Sequence, residues 1–348
     1  MIPQSTKDRD RPILVLSRLW AAACLSVFIG CSLGTSDDES DQDSGSSPDY
    51  RYLVDHGWPS LPEGRILGFA YAVEVDSHGH VFTLHSFVEW TVPFVEQPET
   101  EPVVLMWNDN GELLTSWGAG SFLMPHGLSI DAADNVWITD VGRNQVFKFS
   151  HDGKELMVLG ESGVEGWDET HFAQPSDVAF GPDGSIYVSD GYVNCRIVNF
   201  TSGGRFQFEW GECGSATGQF DIPHGLVIDS SGRVYVADRE NDRIQVFESN
   251  GDFIAEWPSR GEWRPLDLSI SPTGGEIFVI DGGENTGFPD RSKVVILDMA
   301  GRQLSEFGRF GNQDGQFMVG HDIAVTLDDH VYVVDIIGRR VQRFSRPN

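Results

Sequence analysis

The fold is decided by a short stretch that the chain repeats, Asp183-Gly184-Ser185-Ile186-Tyr187-Val188-Ser189-Asp190. A turn with Asp or Gly leads into β-forming residues and usually ends at another Asp, which is typical of a strand entered through a tight turn. Five further stretches have the same form, at residues 77–85, 134–140, 232–238, 275–281 and 329–335. The chain therefore contains six copies of one strand-forming unit.

The copies follow one another at intervals of 43 to 55 residues. Repeats of about 40 to 50 residues with strands and glycine turns are typical of propeller blades of four antiparallel strands. The sequence therefore predicts an all-β fold, a six-bladed β-propeller. Because the strands run up and down, the loops after strands two and four of each blade emerge on one face, where we expect the functional site.

The composition limits the classes of function. The 348 residues include 53 Asp and Glu against 24 Lys and Arg, which gives a net charge of −29. A surface of this charge repels phosphate polymers, so a nucleic-acid partner is excluded. The hydrophobic share of 40%, with 39 Gly, 22 Phe and 10 Trp, fits one large acidic β domain with its own core.

The first fifty residues are interpreted as export and tether. Basic residues precede an apolar run, Leu19 to Gly30, that is too short to span a bilayer and fits a secretory signal. Cys31 follows in a context that resembles a bacterial lipidation site, with an ordinary signal peptide as the alternative. The prediction is a lipoprotein-type signal at 1–30, an acidic Ser/Asp-rich tether at 31–49 and the propeller at 50–348. Such a protein is exported and lipid-anchored, on the periplasmic side of a bacterial membrane or at the cell surface.

Residues that recur from blade to blade are interpreted as scaffold. An Asp ends the second strand in five blades, and an Arg opens the third strand in three. Their default role is to bind loop backbone. These residues are Asp140, Asp190, Asp238, Asp281 and Asp335, with Arg196, Arg243 and Arg340.

The residue that opens the inner strand differs between blades. It is histidine in blades two, four and six, at His126, His224 and His321. Alternate blades of six lie about 120° apart, so these side chains converge on the axis with three-fold geometry. Three imidazoles with an open fourth position describe a catalytic zinc site, and other imidazole-preferring divalent ions are alternatives. The structural alternative is that the histidines cap strands or bind neighbouring loops.

Two more non-repeating residues lie in loops of the same face. Tyr192 follows the second strand of blade three, and Arg239 directly follows Asp238 in blade four. A tyrosine, with a pKa of about 10, becomes a usable base when a cation or metal lowers that pKa. Tyr192 is therefore a candidate catalytic base. The alternatives are a rim tyrosine that stacks and an arginine that pairs with Glu240.

These residues resemble a known family, the peptidyl-α-hydroxyglycine α-amidating lyases (peptidylamidoglycolate lyases), within the wider NHL-repeat propellers. The resemblance runs from about residue 67 to 344 and is specific in blades two to four. It implies a lyase that splits a C-terminal α-hydroxyglycine into an amide and glyoxylate. The matching stretches are 124–128, 137–141, 145–148, 171–179, 187–192, 237–241 and 321–323.

Carried over residue by residue, the resemblance makes the three histidines zinc ligands, Tyr192 the base and Arg239 the substrate-binding arginine. It also implies a structural calcium ion on the axis, held by the backbone carbonyls of Val73 and Leu128 and the carboxylate of Asp322. The implied partner is a small molecule or peptide that ends in an α-hydroxyglycine-like group. We expect a monomer that touches a membrane only through its lipid.

The chain departs from the family in blade one. The family has an arginine after a histidine there, whereas Ser86 follows His85 here. No Arg occurs from Ile66 to Gly142, and Arg143 is the candidate substitute cation. Two functions therefore stay open. One is the zinc lyase, and the other is a non-catalytic propeller that binds a peptide or protein at the same site.

The cysteines also depart from the family, because its two disulfides have no counterpart here. Cys195 and Cys213 lie in the two loop families that share one face. They form either a different disulfide or two free thiols.

Overall fold

The computed structural model describes residues 51–90, 97–283 and 291–347. Within them, 24 strands form six antiparallel sheets of four strands, which confirms the six-bladed β-propeller. The predicted signal, tether and Cys31 lie outside the described residues. Blade one has β2 (Phe69–Val75), β3 (Val81–Ser86), β4 (Val104–Trp107) and β5 (Leu113–Trp117); blade two has β6 (Pro125–Ile130), β7 (Val136–Asp140), β8 (Gln145–Phe149) and β9 (Glu155–Leu159).

The remaining four blades follow in chain order. Blade three has β10 (Asp177–Phe180), β11 (Ile186–Asp190), β12 (Arg196–Phe200) and β13 (Phe206–Trp210). Blade four has β14 (Pro223–Ile228), β15 (Val234–Asp238), β16 (Arg243–Phe247) and β17 (Phe253–Pro258). Blade five has β18 (Pro265–Ile270), β19 (Glu276–Asp281), β20 (Lys293–Asp298) and β21 (Gln303–Phe307). Blade six has β22 (Gly320–Val325), β23 (Val331–Asp335), β24 (Arg340–Ser345) and, as its outer strand, β1 (Leu53–Val54).

The N-terminal strand closes the ring of blades. β1 pairs antiparallel with β24, and Leu53 lies opposite Ser345. Arg343 of β24 donates from Nε to Asp55 at 2.9 Å, and its guanidinium lies 5.5 Å from the ring of Trp58. Blade six therefore takes strands from both ends of the described chain, which leaves no open edge between the first and last blades.

The hydrophobic core lies between neighbouring blades. Leu84 and Val104 of blade one pack with Phe122, Ile138 and Phe147 of blade two, and all five are buried. Alternate residues of a strand face opposite sides of its sheet. Because each sheet is covered on both sides, second strands such as β23 are buried along their whole length.

The recurring aspartates and arginines bind loop backbone and one another. Asp140 accepts the backbone N–H groups of Leu123 and Met124 at 2.8 and 3.0 Å. In blade three, Nε of Arg196 donates to Asp190 at 2.9 Å, and both side chains are fully buried. Blades four and six repeat this pairing in Arg243 with Asp238 and Arg340 with Asp335.

The up-and-down strand order gives the propeller two different faces. The face that carries the loops after strands two and four of each blade is termed the mouth. The other face, termed the turn face, carries the tight turns between strands one and two and between strands three and four. Cys195 and Cys213 form a disulfide that joins the β11–β12 loop to the β13–β14 loop at the mouth. Among the described residues, no helix has the length and apolar character to cross a lipid bilayer.

Candidate active site

A β-bulge interrupts the inner strand at each of the three predicted histidines. The pairing register shifts between Pro125 and Leu128, between Pro223 and Leu226, and between Gly320 and Asp322. A bulge frees a residue from the ladder and re-aims its side chain. His126, His224 and His321 lie in these bulges, and the structure brings them together as the axial site.

The next blade orients each histidine through a backbone carbonyl. The ring centroids of the histidines lie 4.8 to 4.9 Å apart. Because a carbonyl can only accept, each Nδ1 carries the proton and each Nε2 presents a lone pair. His126, His224 and His321 donate from Nδ1 to the carbonyl oxygens of Ser176, Leu266 and Tyr71, at 2.8, 2.8 and 2.6 Å.

This arrangement fits a zinc ion. The ligand atoms of the three buried histidines lie within 4.8 Å of one another. Burial lowers the pKa of His126 to about 4 and holds the pKa values of His224 and His321 well below the usual value. The imidazoles are therefore neutral near pH 7, as metal ligands must be. A protein acceptor on each Nδ1 is the usual support for a histidine that binds zinc through Nε2.

The hydroxyl of Tyr192 lies against the axial site. Its oxygen is 2.8 Å from Nε2 of His126 and 2.9 Å from Nε2 of His224. Burial raises the pKa of Tyr192 to about 12, and the positive charge of Arg239 opposes that rise. The tyrosine therefore needs a further positive charge before it can act as a base at neutral pH.

Arg239 lies over the ring of Tyr192. Its guanidinium is 5.5 Å from the centroid of that ring, and its Nε donates to Glu240 at 3.1 Å. Its backbone N–H donates to Ile222 O at 3.1 Å, which ties the β15–β16 loop to the loop before β14. The two interpretations of Arg239 therefore coexist, since it pairs with Glu240 and still faces Tyr192.

Two aromatic residues that the sequence interpretation missed complete the wall of the axial site. The ring of Tyr71 lies 5.9 Å from His126 and 5.8 Å from His321. The ring of Trp90 lies 4.9 Å from Tyr192 and 5.9 Å from His126. Tyr71 occupies the inner-strand position that is histidine in alternate blades, and this position could have identified it from the sequence as a site residue. Trp90 comes from a non-repeating loop, so no repeat position in the sequence could have identified it.

Carboxyl groups cluster on the axis next to the histidines. A cavity of about 10 Å³ is lined by the axial histidines together with Asp177, Asp267 and Asp322. Burial raises the pKa of Asp267 to about 6 and of Glu74 to about 7, and it raises those of Asp177 and Asp322 well above the usual value. Such a cluster favours a bound cation, because otherwise its members must hold protons. The predicted calcium ligands lie on the strands around this cluster, with Val73 on β2, Leu128 on β6 and Asp322 on β22.

Blade one departs from the other blades at the mouth. His85 stands where the others have Asp, and its Nδ1 accepts the backbone N–H of Gly68 at 3.1 Å. Ser86 is buried and donates to the carboxylate of Glu99. Glu99 also accepts the backbone N–H of Phe87 at 2.9 Å. A buried carboxylate therefore supports the loop where the resemblance leads one to expect an arginine.

The structure places Arg143 within its own blade. Its Nη1 donates to Ser162 Oγ at 3.3 Å, and its Nε lies 3.7 Å from Asp140 Oδ2. In the part of the chain that the structure describes, these contacts do not reach the axial histidines or Tyr192.

The NHL repeat family model matches residues 122–149, 172–200 and 220–247. These ranges cover most of blades two, three and four. The fold and these matches define the class of protein as a six-bladed β-propeller that contains NHL repeats.

Curated relatives narrow the class. The chain is 36% identical over 256 residues to the peptidylglycine alpha-amidating monooxygenase of Rattus norvegicus, which covers 71% of this chain and 26% of that protein. It is 31% identical over 327 residues to peptidyl-alpha-hydroxyglycine alpha-amidating lyase 1 of Drosophila melanogaster. That alignment covers 84% of this chain and 59% of the fly protein. The match spans only about a quarter to a third of the monooxygenase relatives, from 26% to 35% of their length. The chain is therefore a homologue of proteins named peptidyl-alpha-hydroxyglycine alpha-amidating lyase.

A solved structure described as a streptogramin B lyase aligns with a TM-score of 0.57 at 14% identity. The alignment covers 84% of this chain and 97% of that one. At this identity the likeness shows the propeller fold alone.

Proposed function

We propose that this chain is a zinc-dependent lyase that cleaves the C–N bond of a peptidyl- or acyl-α-hydroxyglycine to an amide and glyoxylate. The observation that carries the proposal is the Tyr192 hydroxyl within 2.9 Å of two Nε2 atoms, on His126 and His224. It supports a proton acceptor beside the ligand atoms of the proposed metal site. Relatives that are named lyases support lyase activity as the broader class.

His126, His224 and His321 would hold the zinc ion, which supplies a Lewis acid that acidifies a bound hydroxyl group. The Tyr192 phenolate accepts the proton of the substrate hydroxyl group. The C–O bond becomes a carbonyl, and the electrons of the breaking C–N bond pass to nitrogen. The Tyr192 hydroxyl then returns the proton to that nitrogen, so the products are an amide and an aldehyde.

The remaining side chains of the site bind substrate and exclude water. Arg239 offers a guanidinium beside the Tyr192 ring, where it favours the phenolate and can bind a carboxylate of the substrate. Tyr71 and Trp90 cover the histidines with apolar surface. Low access of water strengthens these charge interactions.

The second candidate function is a non-catalytic propeller that binds a peptide or protein at the mouth, with the metal as a structural pin. The pairing of Ser86 with the buried Glu99 favours it. A carboxylate on the blade-one side of the mouth does not help to bind the carboxylate of a hydroxyglycine. If two cations are needed there, loss of one costs several kcal/mol of transition-state stabilisation.

The experiment purifies the chain without chelator, measures bound metal by elemental analysis and assays glyoxylate release from α-hydroxyhippuric acid. We expect one or more zinc ions per chain, activity in the native protein and loss of activity in His126→Ala and Tyr192→Phe. Tyr187→Phe is the matched control, because its hydroxyl donates to Ser249 O at the turn face. Zinc without glyoxylate would favour the binding function. Absence of zinc would overturn the lyase proposal.

Three further proposals complete the functional interpretation. A structural calcium ion on the axis is supported by the carboxyl cluster around Asp322, and Asp322→Asn should reduce bound calcium. Export and lipid anchoring rest on residues 1–49 and on Cys31, so Cys31→Ala should abolish incorporation of a labelled lipid. A monomer is expected, and sedimentation of the native chain tests it.

A further inference from the structure

A second group of histidines lies at the turn face, away from the axial site. Asp76, His78 and His80 belong to the turn between β2 and β3 in blade one. His151 belongs to the turn between β8 and β9 in blade two. These four residues are termed the turn-face cluster. They come from two blades that are otherwise joined here by hydrogen bonds and core packing.

The carboxylate of Asp76 is the centre of the cluster. Its Oδ2 is 2.8 Å from Nδ1 of His80, 2.7 Å from Nε2 of His151 and 4.0 Å from Nδ1 of His78. Its Oδ1 accepts the backbone N–H groups of His78 and His80 at 2.9 and 2.7 Å. The Asp76 side chain is fully buried. One oxygen therefore holds the turn, while the other faces three imidazoles.

The other blades show that a turn of this kind does not require histidine. In blade two, the equivalent Asp131 binds Asn135, Trp137 and the ammonium group of Lys148, at 2.9 to 3.0 Å. Blade one therefore differs from its neighbour by placing imidazoles around the same carboxylate. The two turns differ in which side chains contact the aspartate, since the backbone hydrogen bonds of the turn are the same in both blades.

Three of the four residues already group closely enough to hold a divalent ion, and the fourth, His151, reaches them through Asp76. The ligand atoms of Asp76, His78 and His80 lie within 4.8 Å of one another, and ring centroids among the three histidines are 5.8 to 6.4 Å apart. Tetrahedral zinc with bonds of about 2.0 to 2.1 Å needs ligand atoms roughly 3.4 Å apart. The side chain of His78 is 64% exposed and can move inward. Nearby, Asp134 accepts from Ser77 Oγ at 2.8 Å and lies 3.3 Å from Nδ1 of His78, so Nδ1 can donate to Asp134 while Nε2 of the same ring turns towards the ion.

We propose that Asp76, His78, His80 and His151 form a second metal site, which binds zinc or a similar imidazole-preferring divalent ion and joins blades one and two. Three imidazoles select such ions over calcium and magnesium. Four protein ligands leave no open position, so the site is structural. It does not depend on the proposed lyase activity.

The experiment measures zinc per chain in the full native chain and in a His78→Ala/His151→Ala variant, after equilibration with zinc and removal of free ion. We expect the variant to hold one zinc fewer than the native chain, with affinity at the lost site reduced more than about 100-fold. Cobalt(II) should give the visible absorption of a tetrahedral site that the variant lacks. His56→Ala is the matched control, because His56 is an exposed histidine bonded to Asp314 at 2.7 Å.

The test depends on the difference in zinc content between the native chain and the double variant, so it is independent of what the axial site binds. Equal zinc content in the native chain and the double variant would overturn the proposal. A variant that fails to fold is recognised by circular dichroism, and His78→Ala alone then replaces it, because that exposed ring makes the longest contact to Asp76. A native chain with one zinc and a variant with none would support the turn-face site and count against the axial one.

Discussion

The propeller carries three histidines at its axis and three in the turn-face cluster, and the two groups differ in what fixes them. At the axis, each Nδ1 donates to a backbone carbonyl and the imidazoles are buried. At the turn face, two imidazoles share one carboxylate oxygen of Asp76, and His78 is exposed. The axial histidines are therefore held in a ligand geometry before any ion arrives. Those of the turn face must exchange a hydrogen bond for a metal bond.

The comparison teaches that histidine count alone does not define a catalytic site. Chemistry needs ligand atoms fixed by the backbone, a proton acceptor beside them and an open coordination position. Under the proposed function, the axial site meets these conditions, with Tyr192 as the proton acceptor. The turn-face cluster has a carboxylate as its fourth ligand, so its expected contribution is to stability.

The largest expected effect separates chemistry from packing at the axial site. Tyr192→Phe should lower kcat by about 10²- to 10⁴-fold, because it removes the proton acceptor. Bound zinc should stay unchanged, since the three Nε2 ligands are intact. Steady-state glyoxylate release and elemental analysis test both expectations. Tyr187 is a buried tyrosine in the same blade. Its Tyr187→Phe variant should keep its kcat, and an equal loss there would show a general packing effect.

The next effect concerns pH and the buried state of the axial site. Burial holds the pKa of His126 at about 4, below the value of about 6.5 in an unfolded chain. Between these values the unfolded state binds more protons, so His126 contributes stability above pH 6.5 that is lost as pH falls towards 4. The expected loss is on the order of 3 kcal/mol for the metal-free protein.

Urea unfolding of the metal-free protein at several pH values between 7 and 4 measures this loss. The matched variant is His126→Asn, because the axial carboxyl groups with raised pKa values act with opposite sign in the same range. The stability difference between the two chains should shrink as pH falls. A constant difference would contradict the burial effect.

The third prediction tests whether the mouth is braced covalently while the turn face is not. The Cys195–Cys213 disulfide closes a segment with a sequence separation of 18, and such a loop contributes about 3 kcal/mol by restricting the unfolded chain. The Cys195→Ser/Cys213→Ser variant should therefore have a free energy of unfolding lower by about 3 kcal/mol, as measured by urea unfolding. A fall in kcat under conditions where the variant is still fully folded would show that the disulfide also positions the loop that carries Tyr192.

The smallest effect belongs to the turn face. Zinc at ten times its dissociation constant for the turn-face cluster should stabilise the native chain by about 1.4 kcal/mol. The melting temperature of the native chain should therefore rise above that of His78→Ala when each is titrated with zinc. An equal rise in melting temperature in the native chain and in His78→Ala would contradict a structural role for the turn-face cluster.

Most of the fold was predictable because it repeats. The Asp-Gly turns and apolar strands recur with little change, so the number of blades and the third strands at Arg196 and Arg243 follow from the sequence. The closing strand was not predictable in this way. Leu53 and Val54 carry no repeat signal, and their pairing with blade six depends on the geometry of the whole ring.

The candidate site was predictable where a residue breaks the repeat at a fixed position. His126 and its two counterparts were visible for that reason, and so was Tyr192. Trp90 and Glu99 were not, because they lie in a blade-one loop of irregular length. The β-bulges that aim the histidines also leave no local mark, since they arise from pairing between strands.

The pairing of β1 with β24 has a consequence for the order of events during synthesis. Asp55 and Arg343, which bind across that closure, lie 288 positions apart in sequence. At about 5 to 20 residues per second, the ribosome makes these two residues roughly 15 to 60 s apart. During that interval β1 lacks the strand with which it pairs. β1 is therefore made before the other described strands but cannot pair until β24 has been made, so the ring stays open until blade six is synthesised.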